Sequence, residues 1–416
     1  MPSEKSRKGL LVGSAALIVI GACCWGVQEV QGPGIANMSN GFSWGLYIAL
    51  FEFFMGAAAG CLLIASVASL FKVEKLKPVA PYAALCSFAL LVAGGVMIMQ
   101  DLGRIQNMTY MITNLNTASP LAGDMVIMSL FAIVSLVLAY VLMVPLWRES
   151  GFALGRWAQK RDAAAVEAKM GKIARVFAVF GLVIGALTPI ITSLIFAEMN
   201  ARLWWGTPVQ TVDFFVLAVA AGCALVAFVA CLKAGKGGQG AAGLGGFGPA
   251  VDVLAKTAAV ALIAHLALFL GQWASVAASG SDAGQLVSGV LASNGLLVFV
   301  LLACTIVPIV GFLMKSGRNS RNLLIGSSVL ALVAAFLPRM LMMYAGFDAV
   351  PLTINLYGTG TVWGVPISTG VESASTFMSS IGYVPSLLEI GVALLPIGLA
   401  LLIVVLCAGS KKASAA

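Results

Sequence analysis

The sequence predicts an all-α membrane protein of about ten spanning helices, and three observations carry that expectation. Hydrophobic residues fill 60% of the 416 positions and charged ones only 10%, more apolar surface than a water-soluble domain of this length hides. Ten apolar runs, at 10–27, 44–71, 79–99, 121–147, 176–197, 209–232, 251–273, 287–314, 323–344 and 384–407, have lengths suited to crossing roughly 30 Å of hydrocarbon at about 1.5 Å per residue. Runs of that length favour helices over the short alternating strands of a barrel.

The first run follows Lys5, Arg7 and Lys8 and contains Ile20-Gly21-Ala22-Cys23. That loosely resembles a secretory signal with a lipoprotein cleavage site, but an uncleaved helix is the expectation. The second opens with Trp44 and Tyr47, rings that suit the membrane interface, and carries Gly56 and Gly60 on a small-xxx-small face. Helix packing accounts for the glycines but leaves Glu52, about 12 Å from Trp44 along a helix, unexplained. Asp101 and Arg104 close the third helix and pair if it continues through Gly103. Between the fourth and fifth lies a basic connection, 148–175, and after the sixth a glycine-rich linker, 235–248. The seventh holds the single histidine, His265, at its middle, where a hydrogen-bonded core residue and a proton-relay member are the competing readings. The ninth carries Arg339 near one end; a stretch rich in Gly, Ser and Thr, 346–382, precedes the tenth and is expected to belong to a docking surface.

Basic residues fix the expected orientation. Of the 24 Lys and Arg, all but Arg104, Arg202 and Arg339 fall at the termini or in alternate connections on one side, which places both termini in the cytoplasm. The net charge of +8 is therefore topological and not a nucleic-acid signal. On the outer side the few ionisable groups gather at helix ends: Asp101 and Arg104, Glu198 and Arg202, Arg339, and Glu389, with Glu52 deeper. Charges at such depth cost several kcal/mol unless paired or hydrated, and usually mark a pocket or an ion route.

One histidine makes a bis-histidine haem within the chain impossible; the 17 methionines leave a mixed ligation open, though no spacing suggests it. The eight cysteines lie in apolar runs without C-x-x-C spacing and cannot frame an iron–sulfur cluster on their own. No metal site is expected, and there is no Walker loop, dinucleotide fingerprint or H-E-x-x-H.

Four segments on the outer side combine small, aromatic and charged residues. They are 40–52, 100–120 with Tyr110 and several asparagines, 198–208, and 383–389. The order Trp-Gly-x-Tyr-Ile-Ala from Trp44, Asp-Leu-Gly-Arg from Asp101, Arg-x-x-Trp-x-Thr-Pro from Arg202 and Tyr-x-Pro-Ser-x-x-Glu from Tyr383 resembles the NrfD/PsrC family of quinone-interacting membrane subunits, from about Asn40 to the tenth helix. In length, extra N-terminal helix and sequence character it is most similar to the membrane subunits of menaquinone reductases from sulfate reducers.

The resemblance implies two four-helix bundles plus extra helices, no haem, no iron–sulfur cluster, and a quinone pocket near the periplasmic face. It divides the chain into an N-terminal helix and outer loop (1–38), an eight-helix core (39–345), and an outer loop with the last helix (346–416). Asn40, Ser43, Trp44, Arg104 and Tyr110, with Arg339 and Glu389, are the implied quinone-binding residues, and Glu52 and Asp101 the proton-exchanging ones. His265 and Glu198 are candidates for a proton path. Two departures stand out: Ile105 replaces a proline common after Asp-Leu-Gly-Arg, and no histidine lies on the outer face.

The implied function is a subunit of a menaquinone oxidoreductase in the bacterial inner membrane. A periplasmic iron–sulfur subunit, with a molybdopterin-type subunit and a multihaem cytochrome c beyond it, exchanges electrons with menaquinone, and proton translocation can accompany the reaction. The rival class is a secondary transporter, which calls for broken helices and a binding site at the midplane. A purely structural anchor leaves Glu52 without an explanation.

Overall fold

The computed structural model describes residues 4–38, 42–103, 106–114, 116–199, 202, 204–234, 244–348, 361–362, 365–366 and 383–408. Ten long apolar helices are found among them. They are α1 (Glu4–Gln31), α2 (Leu46–Leu70), α3 (Ala80–Asp101), α4 (Pro120–Ser150) and α5 (Ala163–Ala197), then α6 (Pro208–Ala234), α7 (Gly248–Ala278), α8 (Gly295–Leu313), α9 (Arg321–Asp348) and α10 (Leu387–Cys407). The fold is thus an all-α, multi-span membrane protein, as the composition and run lengths indicate.

Local chemistry sets several boundaries. Asp162 caps α5 by accepting from Ala165 N at 2.8 Å, and Gly151 ends α4 in the left-handed conformation with φ +73°. Ser386 and Glu389 cap α10 reciprocally, each side chain accepting from the other's backbone N–H. Two expectations are revised. The run at 287–314 is split at Asn294, where a separate helix, Asp282–Ser293, capped by Ser281, stops and α8 begins. Helix α3 ends at Asp101, and Gly103 turns away at φ +63°, so the helical Asp101–Arg104 spacing is not realised. Arg104 itself lies outside the described residues, as do Asn40 and most of 346–382; Gly346 to Asp348 belong to α9, and Thr361–Val362 pairs antiparallel with Val365–Pro366.

Packing divides the helices into three groups. α2, α3, α4 and α5 close into one ring of four, each touching the next, and α6, α7, α8 and α9 close into a second. α1 and α10 form a pair whose contacts with the rest run mainly through α3. The rings meet where α2 crosses α6. A Cβ on Gly60 would strike the carbonyl of Ala218, and one on Gly222 would strike the backbone of Gly60. Without side chains at these two positions the backbones approach closely, as membrane helix contacts favour. Gly56, one turn away, has only ordinary contact with Ala218, so the close approach belongs to Gly60 alone.

Candidate functional site

Alternation of the spans brings the C-terminal ends of α1, α3, α5, α7 and α9 and the N-terminal ends of α2, α4, α6, α8 and α10 to one side. On that side the structure sorts the sequence candidates into two buried polar groups.

The first group lies inside the two rings. Glu52, Asp124, Asp213, His265 and Arg339 come from α2, α4, α6, α7 and α9, and each is at most 6% exposed. At 1.5 Å per residue, the first three lie within about 10 Å of their helix ends, Arg339 about 13 Å in, and His265 about 20 Å. Asp124 accepts from Thr192 Oγ1 at 2.8 Å, and His265 Nδ1 meets Asp213 Oδ1 at 2.6 Å. Arg339 places its guanidinium carbon 3.4 Å from the centre of the Phe214 ring, within electrostatic reach of both Glu52 and Asp213. A stacked, delocalised cation beside carboxylates is the arrangement in which arginine is tolerated away from water. Two donor-capable atoms, Arg339 Nε and His265 Nε2, are buried without a partner.

The second group lies between α1, α2, α3 and α10. Tyr47, fully buried, donates its hydroxyl to Gln28 Oε1 at 2.5 Å; Gln28 Nε2 donates to the Gln100 carbonyl at 2.9 Å, and Gln100 Nε2 donates to the Val392 carbonyl at 3.3 Å. Asp101 follows, half-buried at the helix end and within electrostatic reach of Glu389. Glu389 is fully employed: Oε1 accepts from the Tyr383 hydroxyl at 2.6 Å, and Oε2 from Ser386 N at 2.7 Å and Asn37 N at 3.3 Å. The Tyr383 oxygen also accepts from Leu46 N at 2.8 Å, so α10 is clamped to the first turn of α2. Burial, reinforced by the hydrogen bond to Glu389 and its charge, pushes the Tyr383 phenol far above its usual range and keeps it a donor. Gly45 makes the clamp possible, because a Cβ there would enter the Tyr383 ring.

A chain of rings joins the groups. Tyr383 stacks on Phe42 at 4.5 Å, and Phe42 meets Phe347 at 4.8 Å. Phe347 then meets Trp205, and Trp205 stacks on Trp44. Phe196 touches both tryptophans and Phe214, the ring under Arg339. Trp205 is anchored by its Nε1 donating to the Met342 carbonyl at 2.7 Å, against Gly346, where any Cβ would collide with the indole. Arg202 lies over Phe347 at 4.5 Å, and burial lowers its pKa below the usual arginine value.

Several sequence candidates stand apart. Ser43 is exposed, Tyr110 is 64% exposed on the short helix Asn107–Thr113, and Glu198 is exposed at the end of α5. Asp124 and Asp213 are not among the sequence candidates. Each is a lone carboxylate near the start of an apolar run, the property that singles out Glu52, and the same cost argument applies to them. Gln28, Tyr47 and Gln100 carry no such signal.

The family described as "Polysulphide reductase, NrfD" matches residues 34–351, which cover α2 to α9 and leave α1 and α10 outside. A Halobacterium salinarum protein, provisionally named as a membrane component of dimethyl sulfoxide reductase, is 29% identical over 219 residues. That alignment covers 53% of this chain and 50% of the relative, so the two correspond over about half the length of each. With the family matched across most of the chain and ten apolar helices to carry it, this multi-pass membrane protein belongs to the NrfD polysulphide reductase family.

Proposed function

We propose that the chain is the quinone-handling membrane subunit of a multi-subunit respiratory oxidoreductase in the bacterial inner membrane. The observation that carries this reading is the placement of two buried polar groups, joined by a chain of aromatic rings, at the same end of the helices. A family of reductase membrane proteins and a relative named as a reductase membrane protein support it.

A menaquinone-type ring, exchanged between its quinone and quinol forms, fits the lining. Asp101 and Gln100 present buried acceptor oxygens without partners, and Tyr383, Phe42 and Trp44 belong to the chain of rings on the same side of the helices. When bound, the quinone supplies a two-electron, two-proton acceptor. The protein's part is to hold the ring, exclude water and move protons. Asp101 is the proton-exchanging group at the outer edge, and Glu389 holds the wall behind it in place. Glu52, beside Arg339, is the corresponding group inside the rings, and the Asp213–His265 pair is where a route toward the cytoplasmic half begins. The electron partner is an iron–sulfur subunit on the periplasmic side, with a molybdopterin-type subunit and a multihaem cytochrome c beyond it. Segment 349–382 contributes to the docking surface.

Purification in mild detergent, with mass spectrometry of copurifying proteins and extracted lipids, tests this. An iron–sulfur partner and menaquinone are expected, with menaquinone lost in Asp101→Asn and quinone-dependent turnover reduced at least ~10²-fold in Glu52→Gln. A solitary, quinone-free protein that moves a solute in liposomes would overturn the reading in favour of a transporter.

A further inference from the structure

We infer that the group between α1, α2, α3 and α10 recognises the reduced, hydroxyl-bearing form of the quinone, and that the α1–α10 pair, outside the family-matched region, gives the site this preference. The inference rests on the quinone reading above and adds which redox form the site is built to hold.

The argument is a count of donors and acceptors. Each mobile donor in the group is already used: the Tyr47 hydroxyl on Gln28, the Gln28 amide on the Gln100 carbonyl, the Gln100 amide on the Val392 carbonyl, and the Tyr383 hydroxyl on Glu389. Two acceptors remain unserved. Gln100 Oε1 and Asp101 Oδ1 are buried and have no hydrogen-bond partner, and the Gln100 side chain has no exposure at all. Buried polar atoms are almost always paired, so orphan acceptors on two consecutive residues at the end of α3 are each a point at which a donor is expected. A quinone ring brings carbonyl oxygens, which only accept; a quinol ring brings O–H groups, which donate. With Asp101 ionised, the site offers no free side-chain donor to the first and two acceptors to the second.

α1 and α10 create this bias. Without Gln28, the Tyr47 hydroxyl would be a free donor suited to a carbonyl; Gln28 Oε1 takes it. Without the Val392 carbonyl on α10, nothing fixes the Gln100 amide with its nitrogen turned away and its oxygen left over. Gln28 is therefore a positioning residue, acting through Tyr47. Close packing holds the pair in register: a Cβ on Gly21 of α1 would strike the backbone of Leu395 on α10.

The test is a binding titration of the purified complex with a short-chain naphthoquinone and, under dithionite, its quinol, read by tryptophan fluorescence. The quinol is expected to bind about tenfold tighter, the ratio one hydrogen bond of ordinary net strength supplies. Gln100→Met, similar in volume but without the acceptor, should weaken the quinol alone. Gln28→Leu should tighten the quinone by freeing Tyr47. A general packing defect would weaken both ligands together, so the opposite directions separate positioning from damage. Equal binding of the two forms, or an unchanged ratio in both variants, would overturn the inference. Failure of both forms to bind the unaltered complex would instead sink the quinone reading on which it rests.

Discussion

Arg339 is the residue on which the inner polar group depends. It is 3% exposed, stacked on Phe214, and the cation that interacts with both Glu52 and Asp213. Removing one member of a buried charge set costs more than the set contributes, because the remaining charges are left uncompensated. Arg339→Leu is therefore expected to destabilise the protein by about 3–5 kcal/mol. Arg339→Leu with Glu52→Gln should recover a measurable part of that, since the amide carries no charge to strand. Thermal unfolding in detergent reads both variants. A double variant no more stable than the single one would show that Arg339 acts through its ring contact alone. Lysine is a poor replacement at this position, because a compact ammonium cannot stack as a planar guanidinium does.

At the scale of elements, the joint between the two rings is held by an absence of side chains. Gly60 and Gly222 face one another across α2 and α6, and a Cβ on either meets main chain, which cannot rotate out of the way. Gly60→Val should therefore cost several kcal/mol or prevent assembly, by overpacking at a fixed backbone contact. Gly56→Ala, whose Cβ finds Ala218 at an ordinary 3.9 Å, should be neutral or stabilising. Comparing yields and melting temperatures of the two variants checks the contrast, and equal tolerance would mean the helices can slide apart. The sequence shows both glycines four apart on one helix face but not which one meets a partner, because the partner lies on α6, more than a hundred positions away. The same limit governs the polar groups. Glu52, Asp101, Arg339 and Glu389 are legible because an ionisable group in an apolar run is costly wherever it sits. By that rule Asp124 and Asp213 are legible too, although run length alone passes over them. Tyr47, Gln28 and Gln100 are not: they are ordinary polar residues whose pairing spans 19 and 72 positions and exists only once α1, α2 and α3 are packed.

Across the whole molecule, orientation decides whether the two polar groups face an outside partner or the cytoplasm. Ten spans put the described ends of α1 and α10, Glu4 and Cys407, on the same side, and the polar groups lie toward the other. The basic connections belong to the termini's side. Lys77 pairs with Glu167, Arg148 caps the Ala158 and Arg161 carbonyls, and Asp252 bridges Lys256 and Arg318. These contacts are largely exposed and contribute little to stability, so their value is topological. Helix α10 is tied to that side as well, with Trp147 and Lys233 donating to the Cys407 and Ala408 carbonyls at 2.6 and 2.7 Å. A green fluorescent protein fused after the last residue is accordingly expected to fluoresce, because it folds in the cytoplasm. Alkaline phosphatase inserted at Gly280, in the turn between α7 and the helix Asp282–Ser293, should be active, because it needs an oxidising outer compartment. Dark fluorescence with inactive phosphatase would reverse the orientation. Asp101, Tyr383 and Trp44 would then face the cytoplasm, and an iron–sulfur partner would have to be sought on that side.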